Sequence, residues 1–333
     1  MNPEALKKLK NVKLLSKESQ TSHYVSVGAY ALNHDITGDF NKGIPVGKIS
    51  EYYGNASTAK TVFLTHILKD AQKKGFYTML VDSENAYSAD FATTLGLDPD
   101  KLIYCAPETL EDCFETIEST ILSIREVDKK TPIVIGYDSL AVSPSRSEYE
   151  AAPDKTSPID GAKRALAIGQ LLRKINPKIK KYNVSLVIIN QLREKVGVMF
   201  GSNETKASGG RSLEFYLGVS SKTLSNKTSD LIRDENKQVI GIQGKVRNTK
   251  NKEGLPFRES PFKLYFDKGL DPWEGVVEIL EYKELVSKEG GWYIIKENGI
   301  KFRKKQFSEH ITDLDNKDFA GLRKMFDLKL LDS

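Results

Sequence analysis

The sequence predicts an α/β fold: a mostly parallel, twisted sheet with helices on both faces, followed by a small α+β module. Three observations predict it. Apolar runs of strand length alternate with segments of helical spacing. Most of the runs are nearly continuous in apolar residues, as strands buried on both faces require. Polar residues stand just beyond the runs, where open parallel sheets place their ligands.

Taken in order, residues 1–23 are polar and Lys-rich and read as an amino-terminal arm for docking between copies. Residues 24–270 read as the core. Within it, KISEYYG (48–54) is a strand entering a loop. KTVFLTHILKDAQKKG then places Val62, Phe63, Ile67 and Leu68 on one helical face and closes at Gly75. FYTMLVD (76–82) is a strand, LEDCFETIESTILSIRE a helix, and TPIVIGYD (131–138) another strand. GAKRALAIGQLLRKINPKIKKYN reads as a long helical region interrupted at Pro177, and VSLVIINQ (184–191) as a fourth buried strand. Two long irregular segments follow strands on the same edge, one with three prolines and one with four glycines. Loops of that length inside a compact domain are usually functional. Residues 271–333 change to short helix and hairpin pieces and read as a carboxyl-terminal domain.

Composition narrows the class. The chain has 333 residues, 39% hydrophobic and 29% charged, enough for one large core and a smaller module. No apolar run approaches the roughly 20 residues that span a bilayer, and the start lacks the apolar stretch of a signal peptide. The expectation is a cytoplasmic protein with no membrane partner. Two cysteines and four histidines supply no disulfide or metal framework. A net charge of +5 permits nucleic-acid binding without demanding it.

The stretch 54–61, GNASTAKT, departs from the phosphate-loop pattern G-x-x-x-x-G-K-[ST] at one place, Ala59. Such a loop curls backbone N–H groups around phosphates at a helix start, with Lys60 for the β/γ-phosphates and Thr61 for Mg²⁺. If position 59 needs a positive φ, the alanine costs about 1–2 kcal/mol. Asp138, ending its strand, stands where a carboxylate holding Mg²⁺ through water is expected; a helix cap is the alternative. Glu84, after the second strand, can polarise an attacking water; a surface carboxylate is the alternative.

On these residues the chain resembles RecA-type strand-exchange recombinases. KISEYYGNASTAKTVFLTHILKDAQKKGFYTMLVDSENAYSADF is similar to their nucleotide-binding half. NQLREKVGVMFGSNETKASGGRSLEFY resembles their mobile DNA-binding loop, and KVRNTKNKEGLPFRESPFKLYFDKGLDPWEG resembles the end of their core running into its carboxyl-terminal domain. The missing loop glycine and the spacing in KRALAIGQLLRK resemble phage recombinases of the UvsX type. The resemblance implies a RecA-type ATPase core using ATP and Mg²⁺. Gly54, Lys60 and Thr61 would bind the nucleotide, with Ser57, Thr58 and Ala59 offering backbone groups. Glu84 would activate water, Thr61 and Asp138 would serve the metal, and Gln191 would sense the γ-phosphate. Phe91 falls where the family sets a ring on adenine, with core packing as the alternative. Lys250 and Lys252 resemble the pair that reaches a neighbouring subunit's phosphates; two exposed loop lysines is the alternative.

The candidate DNA loop carries Arg193, Lys195, Lys206 and Arg211 for phosphates, and Gly197, Gly201, Gly209 and Gly210 for flexibility. Met199 and Phe200 fit either insertion between bases or a buried anchor. The basic run Lys301, Arg303, Lys304, Lys305 either gathers duplex DNA or is a solvated edge. The expected partners are single-stranded and double-stranded DNA, further copies of the chain in a filament, and a single-strand-binding protein with a loader. The expected location is the cytoplasm of a bacterium or a phage-infected host. Two rivals stand beside strand exchange: a DNA-coating filament using ATP only as a conformational ligand, and a DNA motor or helicase on the same fold. A dinucleotide oxidoreductase is disfavoured, because no G-x-G-x-x-G follows the first strand.

Overall fold

The computed structural model describes residues 21–151, 158–193, 206–207, 210–225, 230–326 and 328. In chain order, β1 (Tyr24–Val25) and β2 (Ile44–Pro45) pair with each other. Then come β3 (Ile49–Gly54), β4 (Tyr77–Asp82), β5 (Leu102–Cys105), β6 (Ile133–Asp138), β7 (Val184–Arg193) and β8 (Lys206–Ala207). They are followed by β9 (Leu217–Leu224), β10 (Leu231–Arg233), β11 (Val239–Asn251), β12 (Glu259–Tyr265) and β13 (Gly269–Leu270). These strands, from β3 onward, form one sheet whose main path is β13-β12-β11-β9-β3-β7-β6-β4-β5. From β9 to β5 the neighbours run parallel, and β11, β12 and β13 extend the sheet antiparallel. A small antiparallel sheet of β14 (Val286–Glu289), β15 (Trp292–Ile295) and β16 (Lys301–Phe302) lies near the carboxyl end.

Helices cover both faces of the parallel part of the sheet, which is why its central strands are mostly apolar. In β6, Ile133, Ile135 and Tyr137 join the helices Leu110–Val127 and Pro158–Lys181. Val134, facing the other way, joins Phe63, Leu64 and Ile67 of helix Lys60–Lys73. Gly136 lies on that second side. A Cβ there would sit 2.7 Å from Leu64 Cδ1, so glycine admits the helix that follows the phosphate loop.

The helix Pro158–Lys181 passes through Pro177 instead of breaking there. Proline removes one backbone hydrogen bond near the helix end, but Ile175 and Ile179 on either side of it are buried against the sheet. Packing carries the helix past the defect. A third apolar cluster joins Trp273, Val276, Leu280, Phe302, Phe307 and Phe319 to Tyr30, Ala31 and Phe40, so packing runs across residue 271. Among the described residues, no helix is long and apolar enough to cross a membrane.

Gly54 ends β3 opposite Thr223 of β9 on one side and Gln191 of β7 on the other. A Cβ on Gly54 would lie 2.6 Å from the Thr223 carbonyl oxygen and 2.3 Å from its hydroxyl. The first glycine of the loop is therefore demanded by the neighbouring strand. Backbone cannot step aside as a side chain can, so Gly54→Ala is expected to destabilise the fold by about 1–3 kcal/mol. Urea unfolding measures this, and a change within about 0.5 kcal/mol would contradict it.

Candidate functional site

The carboxyl ends of β3, β4, β6 and β7 lie side by side and bring the predicted site residues together. The loop leaving β3 carries two non-glycine residues in the left-handed region, Ser57 at φ 63° and Ala59 at φ 66°. Ala59 is the residue immediately before helix Lys60–Lys73, with ψ 14°. Position 59 does need the conformation that glycine adopts freely, and alanine bears about 1–2 kcal/mol for it. The loop is braced from outside. The Thr58 hydroxyl donates to the Asn55 carbonyl at 2.8 Å and meets the Thr223 hydroxyl at 2.7 Å. Lys60, which is buried, donates to the Asn55 carbonyl at 2.6 Å.

Thr61 and Asp138 meet directly: the hydroxyl donates to Asp138 Oδ2 at 2.6 Å. Burial raises the Asp138 carboxyl from 3.8 to about 6; the Thr61 hydrogen bond opposes this, Glu84 and Asp82 add to it, and Lys60 opposes it. A hydroxyl beside a buried carboxylate is an oxygen donor set suited to Mg²⁺, which takes few protein ligands and keeps water and phosphate as the rest. The positive-φ loop at a helix start suits a phosphate chain. The residues present therefore fit Mg²⁺–ATP: Thr61 and Asp138 could hold the metal, Lys60 and the loop could hold phosphates, and the ion would neutralise phosphate charge when bound.

Glu84 and Gln191 are joined. Gln191 Nε2 donates to Glu84 Oε1 at 3.1 Å, and the Ser139 hydroxyl donates to the same oxygen at 2.7 Å. The Glu84 turn is shaped by Asp82, whose Oδ1 accepts from the Glu84 amide at 3.1 Å and whose Oδ2 accepts from the Tyr87 amide at 3.0 Å. Arg164, buried on helix Pro158–Lys181, holds the segment after Asp138 through the carbonyls of Leu140, Ala141 and Ser143. Phe91 is half-buried, meets Tyr87 edge-on with ring centroids 5.5 Å apart, and stands outside the three apolar clusters. Tyr87, which sequence reasoning did not single out, shares a 3.0 Å hydrogen bond with Thr65 of the phosphate-loop helix.

Other predicted residues stand apart. Lys250 lies opposite Ser220, itself opposite Glu51, so its backbone is roughly 10 Å back along the strand direction from the Gly54 end. Its ammonium donates to the Glu214 carbonyl, and Lys252 is exposed beyond it. Neither is brought to this chain's own phosphate loop. Of the DNA-loop candidates, Arg193 and Lys206 are register partners where β7 meets β8, and Gly210 and Arg211 open the helix Gly210–Tyr216. Lys195, Gly197, Met199, Phe200, Gly201 and Gly209 lie outside the described residues. In the basic run, Lys304 pairs with Glu274 at 3.3 Å and Glu278 at 2.5 Å, while Arg303 stacks over Trp292 at 4.8 Å and Lys305 is exposed.

Comparison with known proteins shows the family to which the chain is similar. Residues 5–271 match the family described as the RecA N-terminal domain. The chain is 33% identical over 299 residues to Protein RecA of Clostridium botulinum (strain Eklund 17B / Type B), covering 87% of this chain and 79% of that protein. It is 34% identical over 276 residues to Protein RecA of Ureaplasma parvum serovar 3, covering 83% and 78%. It is 30% identical over 285 residues to Protein RecA of Malacoplasma penetrans (strain HF-2), covering 85% and 82%.

Two outcomes are expected from this geometry. Ala59→Gly relieves the left-handed strain but frees the unfolded chain, for a net gain of about 0.5–1 kcal/mol in urea unfolding; a loss would contradict the strain. The Asp138 carboxyl has a folded pKa above its unfolded value of 3.8, so its contribution to stability is full below pH 3.8 and lost as pH rises through about 6. Metal binding needs the ionised form, so affinity for Mg²⁺–ATP should fall about tenfold per pH unit below 6. Calorimetric titration from pH 5 to 7 reads this, and Asp138→Asn should flatten the profile.

Proposed function

The chain belongs to the RecA family, and on that premise we propose that it is a DNA-dependent ATPase that forms filaments on single-stranded DNA and pairs that strand with homologous duplex. The observation that carries the reading is a shared border. Gly54, which begins the phosphate loop, is the register partner of Gln191, and Gln191 reaches Glu84. A triphosphate seated against Lys60 and Thr61 would therefore adjoin the strand end that leads, two residues later, into 194–205. A ligand that interacts differently with two arrangements of Gln191 can shift which one prevails, and DNA then strengthens nucleotide binding by the same factor.

In hydrolysis, Glu84 would orient and deprotonate water, a role supported by the hydrogen bonds of Ser139 and Gln191 to its Oε1. Thr61 and Asp138 would hold the metal, and Lys60 would meet phosphate oxygens. Phe91 is assigned to the adenine ring. Lys250 and Lys252, set away from their own loop, are assigned to a neighbouring copy's phosphates. Self-association is supported by the open edge of the sheet: among the described residues β5 pairs only with β4, and it exposes Ile103 and Tyr104 by 39% and 49%. Phe215, on the helix after the DNA loop, is 75% exposed. Duplex DNA is assigned to Arg303 and Lys305 of the carboxyl-terminal domain, 271–333. A single-strand-binding protein and a loader complete the proposed partners, in the cytoplasm of a bacterium or of a host carrying a phage. The alanine at position 59 favours a UvsX-like member.

Ala59 also motivates a second reading, in which ATP is bound as a conformational ligand with little turnover. Steady-state phosphate release separates the two. Single-stranded DNA is expected to stimulate hydrolysis, and Lys60→Ala to lower the stimulated rate on the order of 10²-fold. Unstimulated, negligible turnover with intact DNA binding would favour the second reading; D-loop formation by Lys60→Ala without hydrolysis would overturn the first.

A further inference from the structure

Glu51 is a carboxylate in the middle of β3, only 3% exposed, in a strand flanked by β7 and β9. Burying an ionisable carboxyl is costly unless its oxygens are well partnered, and both are. Oε1 accepts from Asn190 Nδ2 of β7 at 2.9 Å, and Oε2 accepts from the Ser220 hydroxyl of β9 at 2.9 Å. The Asn190 amide is used on its other side too: Oδ1 accepts from the Gln191 backbone N–H at 3.0 Å. β7 needs help there, because its ladder with β6 ends at Ile188 while that with β3 continues to Gln191. On the β9 side, the Thr249 hydroxyl donates to the Ser220 carbonyl at 3.2 Å, and the next residue, Lys250, tethers the Glu214 carbonyl.

A carboxyl serving only to fill the sheet interior could be replaced by an apolar residue of its size, and the strand would then carry no buried ion. Here each oxygen instead grips a different neighbouring strand, and one of them grips the residue that shapes Gln191. We propose that Glu51 is a positioning residue for nucleotide sensing: it fixes the Asn190 amide, the amide fixes the backbone at Gln191, and Gln191 is thereby aimed at Glu84. The inference rests on the reading of Gln191 as the element joining nucleotide to DNA. Glu51 touches neither ligand. Its effect is on how much of the nucleotide signal reaches the strand end.

The test measures affinity for a fluorescent single-stranded oligonucleotide with and without a non-hydrolysable ATP analogue, in the full chain. The ratio of the two dissociation constants is the readout, because a merely structural role does not move it. Glu51→Leu removes both acceptors and should cut the ratio at least fivefold, with analogue affinity held within about threefold. Glu51→Gln should keep the ratio within about twofold, since its oxygen can face Asn190 and its amide can donate to a rotated Ser220 hydroxyl. If Glu51→Leu does not fold, Asn190→Ala carries the same prediction as Glu51→Leu and leaves Glu51 its Ser220 hydrogen bond. A folded Glu51→Leu or Asn190→Ala protein with the wild-type ratio overturns the proposal. A wild-type ratio near one overturns the functional reading beneath it, which is a different result.

Discussion

The register between β3 and β7 is the constraint on which the site depends. Because Gly54 stands opposite Gln191, the chain leaves the sheet at the same level on two adjacent strands, about 4.8 Å apart. One exit becomes the phosphate loop and the other leads toward the candidate DNA loop. A slip of one residue would turn every side chain of β7 to the other face, exchanging Asn190 for Gln191 and parting Gln191 from Glu84. Burial on both faces makes such a slip costly, because Leu186 and Ile188 belong to one apolar cluster and Val187 and Ile189 to the other.

β3 is held in that register from both sides. Backbone contact with Thr223 leaves no room for a side chain at Gly54, and the Thr58–Thr223 hydroxyl pair ties the loop to β9. These braces explain how the loop sustains two non-glycine residues at positive φ. Local strain of about a kilocalorie or two per residue persists where surrounding structure over-determines it, and such strain is common at ligand sites. Asp138 shows the same tension in electrostatic form. Its carboxyl is buried near Glu84 and Asp82, an arrangement better suited to a cation than to solvent.

Much of this was legible in the sequence, because strand ends announce themselves. An apolar run closing on Gly54, Asp82, Asp138 or Asn190–Gln191 marks a parallel strand and its ligand edge together. What escaped has physical reasons. The sheet order and the antiparallel extension through β11 and β12 are long-range pairings that local periodicity does not encode. Pro177 marks a break by local rules, and burial of its flanking isoleucines overrides them. Glu51 and Ser220 read as ordinary polar residues in strands, and their partnership with Asn190 exists only once β3 lies between β7 and β9. The signal that could have found Glu51 was a carboxylate three residues before the loop, inside a strand with no other charged residue. Lys250 stands back along β11 from its own loop, so the proposed site for it and Lys252 is completed by a second copy.

The central claim is that a nucleotide at Lys60 and Thr61 governs the grip of the segment after Gln191 on a single strand. Electron cryo-microscopy of the protein with single-stranded DNA and a non-hydrolysable ATP analogue tests it most directly. The account predicts an extended helical filament, the analogue in the loop 54–61, Gln191 at its terminal phosphate, and residues 194–205 against the strand. Particles that bind the strand through another surface, or a filament indifferent to the analogue, would contradict it.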